Sequence, residues 1–126
     1  GGGLKASLPD RPYTETVREP SDVWSSADGI NWTRHTEHFG IPRRTHFSVI
    51  ASAAGCYVSD GSVGRQANVT REIFLAEDCT NFRRLVDRSP MQKRHASSLA
   101  LFNGSLLILG GPPQGKPGTD VWQYFP

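Results

Sequence analysis

Apolar and polar residues alternate in short runs along this chain, and the runs are the length of strands. "HFSVIAS" (46–52) and "CYVSDG" (56–61) are rich in β-branched and aromatic residues and are separated by the turn-like Ala53-Ala54-Gly55. "HASSLALF" (95–102) and "SLLILGG" (105–111) repeat that design across Asn103-Gly104, a dipeptide that readily takes both left-handed positions of a two-residue hairpin. "REIFLAED" (71–78) and "NFRRLV" (81–86) flank Cys79-Thr80, just as "DVWSSA" (22–27) and "NWTRHT" (31–36) flank Gly29-Ile30. No window joins a helical period to helix caps, so the pattern predicts an essentially all-β chain.

The runs recur. "DVWSSADGINWTRHT" (22–36) returns as "EIFLAEDCTNFRRLV" (72–86), matching Asp22 with Glu72, Trp24 with Phe74, Asp28 with Asp78, Asn31 with Asn81 and Trp32 with Phe82; "DVWQYFP" (120–126) begins a third copy. The hairpin starting at His46 resembles the one starting at His95 at an offset of 49, with Gly55 on Gly104 and Cys56 on Ser105. A period of 49 to 50 residues is a propeller repeat length. With the strands lettered a to d, residues 1–36 hold a long N-terminal loop and strands c and d of a first blade, 43–86 a complete second blade, and 94–126 strands a to c of a third. The expectation is a set of four-stranded antiparallel meander blades of a β-propeller, an incomplete ring of about two and a quarter blades in this chain. The remaining blades then come from the same longer polypeptide or from other chains.

The double glycine Gly110-Gly111 after a hydrophobic strand, the aromatic pairs Trp24/Trp32 and Phe74/Phe82, and the Arg-then-His approach to strand a (Arg44 with His46, Arg94 with His95) resemble Kelch repeats of the galactose oxidase/Kelch-like propellers. The middle unit departs from them, with "VSDGS" in place of the double glycine. "SADGINW" (26–32) is similar to the Asp-box turn of sialidase-like propellers, and its Asp is expected to bond local backbone amides. The resemblance implies a non-catalytic protein-interaction scaffold. The alternative it leaves open is part of a carbohydrate-binding or carbohydrate-active propeller, galactose oxidase-like or sialic-acid-handling.

Candidate chemistry changes this picture little. No stretch of eighteen apolar residues exists, and "GGGLKASLPD" has no apolar core for a signal peptide. There is no Gly-x-Ser-x-Gly, phosphate loop or dinucleotide fingerprint, and the adjacent carboxylates Glu77 and Asp78 cannot flank a substrate. No enzyme, cofactor or metal is expected: His35 and His38 have ligand-like spacing but no clustered third ligand. His46 and His95, at matching places in two units, are expected to be structural. Of the triplets at Asn31, Asn68 and Asn103, only Asn68 lacks a turn role, which makes it the candidate N-glycosylation site.

Charge singles out one rim. In a meander the b-to-c and d-to-a connections emerge together, and here they are long; they carry a net +6 against −4 for the rest of the chain. Long loops on a rigid scaffold are where binding residues ride. Arg43, Arg44, Arg65, Arg88, Lys93 and Arg94 are therefore the expected binding residues for an acidic protein partner. Nucleic acid is not expected, since the pI of 8.8 is modest and no aromatic stacking motif accompanies the basic residues. On the opposite rim Cys56 opens strand b and Cys79 follows strand c, so adjacent antiparallel strands bring them within disulfide reach; reduced cytosolic thiols are the alternative. The bridge points to a secreted or otherwise oxidising location.

Overall fold

The computed structural model describes residues 21–63, 68–113 and 118–126, and everything below concerns those residues. They contain strands and turns and no helix. The strands are β1 (Val23–Ser25), β2 (Thr33–Thr36), β3 (Arg44–Thr45), β4 (Ser48–Ser52), β5 (Gly55–Ser59), β6 (Ser62–Val63), β7 (Asn68–Val69), β8 (Ile73–Ala76), β9 (Arg83–Val86), β10 (Ser98–Phe102), β11 (Ser105–Leu109) and β12 (Val121–Tyr124). They pair antiparallel into a two-stranded first sheet β1-β2, a four-stranded middle sheet β4-β5-β8-β9, a three-stranded third sheet β10-β11-β12, and a small three-stranded sheet β3-β6-β7; none closes into a barrel.

Alternation along the strands gives the middle sheet two apolar faces. Val58, Phe74, Ala76 and Phe82 pack with Phe39 and Ile41 from the segment after β2, with Val23 of the first sheet against them. Tyr57, Ile73 and Leu75 point the other way and pack with Met91, Leu106 and Ile108, joined by Trp122 and Tyr124 of the third sheet. Because the side-chain period of a strand is two, one run of hydrophobic residues serves both neighbours. Ile41 and Met91, each buried in the connection after the last strand of its unit, plug the two clefts.

The hairpins β4-β5 and β10-β11 match at an offset of 50, which corrects the offset of 49 inferred for them, while β12 follows β8 at 48. The left-handed residues agree: His46 (φ 54°) corresponds to Ala96 (φ 53°), Asp60 (φ 57°) to Gly110 (φ 59°), and Cys79 (φ 58°) to Gly29 (φ 74°). His46 is thus the counterpart of Ala96 rather than His95, and Cys56 that of Leu106. Aligning Gly55 with Gly104 misled because the two glycines do different jobs. Gly104 turns the hairpin with Asn103, whereas Gly55 lies in β5, where a Cβ would stand 2.2 Å from the Ala76 carbonyl oxygen.

Candidate ligand-binding site on the long-loop rim

The two arginines that precede strand a in each unit are not rim residues. Arg44 and Arg94 are both 0% exposed. Arg44 donates from Nε to the Pro42 carbonyl (3.1 Å), from Nη1 to the Asp60 carbonyl (2.9 Å), and from Nη2 to Glu72 (3.1 Å), while its guanidinium lies 4.7 Å from the Phe74 ring centre. Arg94 repeats the arrangement with the Gln92 carbonyl (3.1 Å), the Gly110 carbonyl (2.7 Å) and both oxygens of Asp120 (2.7 and 2.8 Å). Each one therefore fastens the incoming loop, the end of the second strand and the acid that opens the third. Burying a guanidinium requires that its donors be satisfied, and here they are satisfied inside the unit. The expectation that Arg44 and Arg94 contact a partner is corrected on that ground. Desolvation by burial also lowers the Arg44 pKa from its ordinary value, and the Glu72 hydrogen bond opposes the shift.

Three of the other expected contact residues do face outward. Arg43, Arg88 and Lys93 are exposed, and Arg65 lies outside the described residues. Arg88 and Lys93 line an open cavity of about 460 Å³ together with the apolar Pro42, Val63 and Val69 and the charged Arg71, Glu72 and Asp87. The small sheet builds its floor. Ser62 pairs with Val69 and Val63 with Asn68, while Arg44-Thr45 pairs with Val63 and Ser62, so the connection expected to be loop is partly a hairpin held against the buried arginine.

The two acids at the cavity are already engaged. Glu72 accepts from Arg44 (3.1 Å) and Arg84 (2.9 Å), and Asp87 from Arg84 (2.7 Å). Arg88 is 81% exposed, and its nearest approach to Asp87 is 3.7 Å. Counting Arg44, Arg71, Arg84, Arg88 and Lys93 against Glu72 and Asp87 leaves a local surplus of three positive charges. An anion arriving there finds cations whose fixed counter-charges are shared with buried or neighbouring arginines.

On the opposite rim Cys56 and Cys79 are joined as a disulfide with Cα atoms 4.9 Å apart. The c-to-d turns beside it are set by aspartates. Asp28 accepts the Ile30 and Asn31 backbone N–H groups (2.9 and 2.8 Å), and Asp78 accepts those of Thr80 and Asn81 (2.8 and 3.0 Å). For Asp28 the Asn31 amides, and for Asp78 the Thr80 hydroxyl, hold the carboxyl well below the usual carboxylate range. The Asn31 side chain donates to Asp28 (2.8 Å), Asn103 forms its hairpin turn at φ 47°, and Asn68 stands exposed on β7 at the cavity edge.

The histidines serve locally. His35 bonds Ser25 (2.7 Å) and His38 bonds Ser21 (2.9 Å). His46 and His95 meet edge to face with ring centres 5.7 Å apart. Among the described residues no three His, Cys, Asp or Glu side chains gather as metal ligands, and no helix is long and apolar enough to cross a membrane. No protein-family model and no curated relative matches the chain.

Sequence reasoning missed three features: the β6-β7 hairpin, the burial of both arginines, and Asp60. Two of them left a trace. Arg44 and Arg94 recur at an offset of 50, each followed 26 to 28 residues later by an acid, Glu72 or Asp120, which is the spacing of a paired scaffold. Asp60 replaces the first glycine of the double glycine, and a polar side chain placed there has to be housed.

Proposed function

We propose that the chain is a Kelch-like propeller segment acting as an interaction scaffold, with the long-loop rim binding an acidic protein partner. The carrying observation is the 460 Å³ cavity, whose lining brings Pro42, Val63 and Val69 together with Arg71, Arg88 and Lys93. An extended peptide would lay an aliphatic side chain on the apolar residues and offer flanking carboxylates to Arg88 and Lys93. The Cys56–Cys79 bridge favours a secreted or otherwise oxidising setting for this work. The packing of three successive sheets through matching faces supports the propeller reading, in which further sheets of the same kind flank these.

Binding of a fluorescein-labelled peptide that alternates Asp or Glu with Leu or Val tests the reading. Arg88→Glu combined with Lys93→Glu is expected to weaken binding at least tenfold, chiefly through the association rate, and raised salt should mimic the change. Equal association rates for the parent and the double variant would refute it.

A further inference from the structure

The seam between the middle and third sheets contains a carboxylate that no part of the rim site uses. Asp60 directly follows the β5 strand at 0% exposure. Its Oδ2 accepts the Ser97 backbone N–H (3.2 Å) and the Ser97 hydroxyl, both from the segment leading into β10. Around these lie other cross-seam contacts: Ala96 N–H to the His46 carbonyl (2.7 Å), Gly61 N–H to the Arg94 carbonyl (3.2 Å), and the Ser48 hydroxyl to the Ser97 carbonyl. Yet Oδ1 of Asp60 is buried with no hydrogen-bond partner.

No cation is committed to this carboxylate. Arg94 and Arg44 both act on it through space, but the donors of Arg94 go to Asp120, Gly110 and Gln92. Arg44 donates to the Asp60 main-chain carbonyl and gives its remaining reach to Glu72. The ionised side chain thus carries a buried charge with half of its acceptor capacity unused. That is a costly state in a desolvated site, and one proton abolishes it.

We propose that Asp60 is a pH-sensitive clasp between the middle and third sheets, closing more tightly in mildly acidic than in neutral solution. Burial raises the carboxyl to about 6 from its ordinary 3.8, against the opposing pull of the Ser97 bonds. A group whose pKa is higher folded than unfolded favours the folded arrangement fully below the unfolded value. It loses that advantage as pH rises through the folded value, so the working window here runs from about 4 to 6 and just above. The other titratable groups on the seam are His46 and His95, one from each side; protonating both would set two cations 5.7 Å apart and work in the opposite direction. Arg44 and Arg94, paired with Glu72 and Asp120, are the other charged groups beside the seam. The third unit has Gly110 at the matching left-handed position, so the device belongs to the middle unit alone among those described.

Hydrogen exchange of the Ala96 and Ser97 amides, corrected for intrinsic rates, reads the clasp directly. Between pH 7.5 and pH 5 protection at Ser97 is expected to rise by about tenfold in the parent protein. It should stay level in Asp60→Asn, which keeps the shape and removes the charge. Asp60→Gly, copying Gly110, provides a second charge-free variant should the first fold poorly. A double variant with Gln at His46 and His95 should keep the tenfold response. Equal pH dependence in the parent and the charge-free variants, or a response lost with the histidines, would overturn the proposal.

Discussion

Arg94 grips Asp120 through two hydrogen bonds of 2.7 and 2.8 Å from a guanidinium that has no solvent exposure. Arg44 stands in the same relation to Glu72 one unit earlier. Removing such a group should therefore disturb folding rather than binding. Arg94→Ala is expected to cost on the order of 3 kcal/mol, since it leaves the Gly110 and Gln92 carbonyls and a cavity behind. Arg88→Ala, at an exposed side chain, should change stability by less than about 0.5 kcal/mol. Urea denaturation midpoints of the two variants separate scaffold arginine from rim arginine.

Glycine substitutions distinguish the two hairpins of adjacent units. At Gly104 no atom would meet an added Cβ within 4 Å, so Gly104→Ala pays only for its left-handed backbone (φ 73°), about 1 kcal/mol. At Gly55 the Cβ would press on the Ala76 carbonyl at 2.2 Å and on the Glu77 Cα at 2.7 Å, and a shift of β8 is required. Gly55→Ala should lower stability by several-fold more, read as a drop in thermal midpoint.

The Cys56–Cys79 bridge joins β5 to the c-to-d turn across a sequence separation of 23. Closing a loop of that length restricts the unfolded chain, and its loss should cost about 3 kcal/mol. A Cys56→Ser/Cys79→Ser variant should be destabilised by this amount under non-reducing conditions and match the reduced parent. Equal stability of the parent before and after reduction would contradict it.

Much of the fold is legible in the chain because strand signals are local. Short runs rich in β-branched, aliphatic and aromatic residues mark β4, β5, β10 and β11, and Asn103-Gly104 marks a hairpin turn, since each depends on neighbours within a few residues. The all-β character and the antiparallel order a-b-c-d of the middle sheet follow from the same signals, and the structure shows both. The small β3-β6-β7 sheet was not legible. Its strands are two residues long, carry Ser and Asn, and are held by pairing with each other instead of by an apolar pattern. The rim was half legible: net charge located it, but charge alone cannot say which arginines have partners indoors. Arg88 and Lys93 reach the cavity, whereas Arg44 and Arg94 turn inward to acids 28 and 26 residues away.

Exposed aromatic residues give a separate expectation for the isolated 126-residue chain. Trp24 and Trp32 are 46% and 57% exposed on the first sheet, while their counterparts Phe74 and Phe82 are buried against Phe39 and Ile41. Phe102 and Val121 are 59% and 60% exposed on the third sheet. Faces of this kind associate in water. Sedimentation velocity should show self-association that rises with concentration, and Trp24→Ser with Trp32→Ser should reduce it.

On the proposed reading the long-loop rim, and not the tight-turn rim, receives an acidic partner. Hydrogen-exchange or chemical-shift mapping with the acidic, aliphatic-containing peptide tests this most directly. Changes are expected to be confined to residues 68–72 and 87–93, with the Asp28 and Asp78 turns unaffected. Changes centred on residues 26–32 and 77–83, or none at saturating peptide, would contradict it.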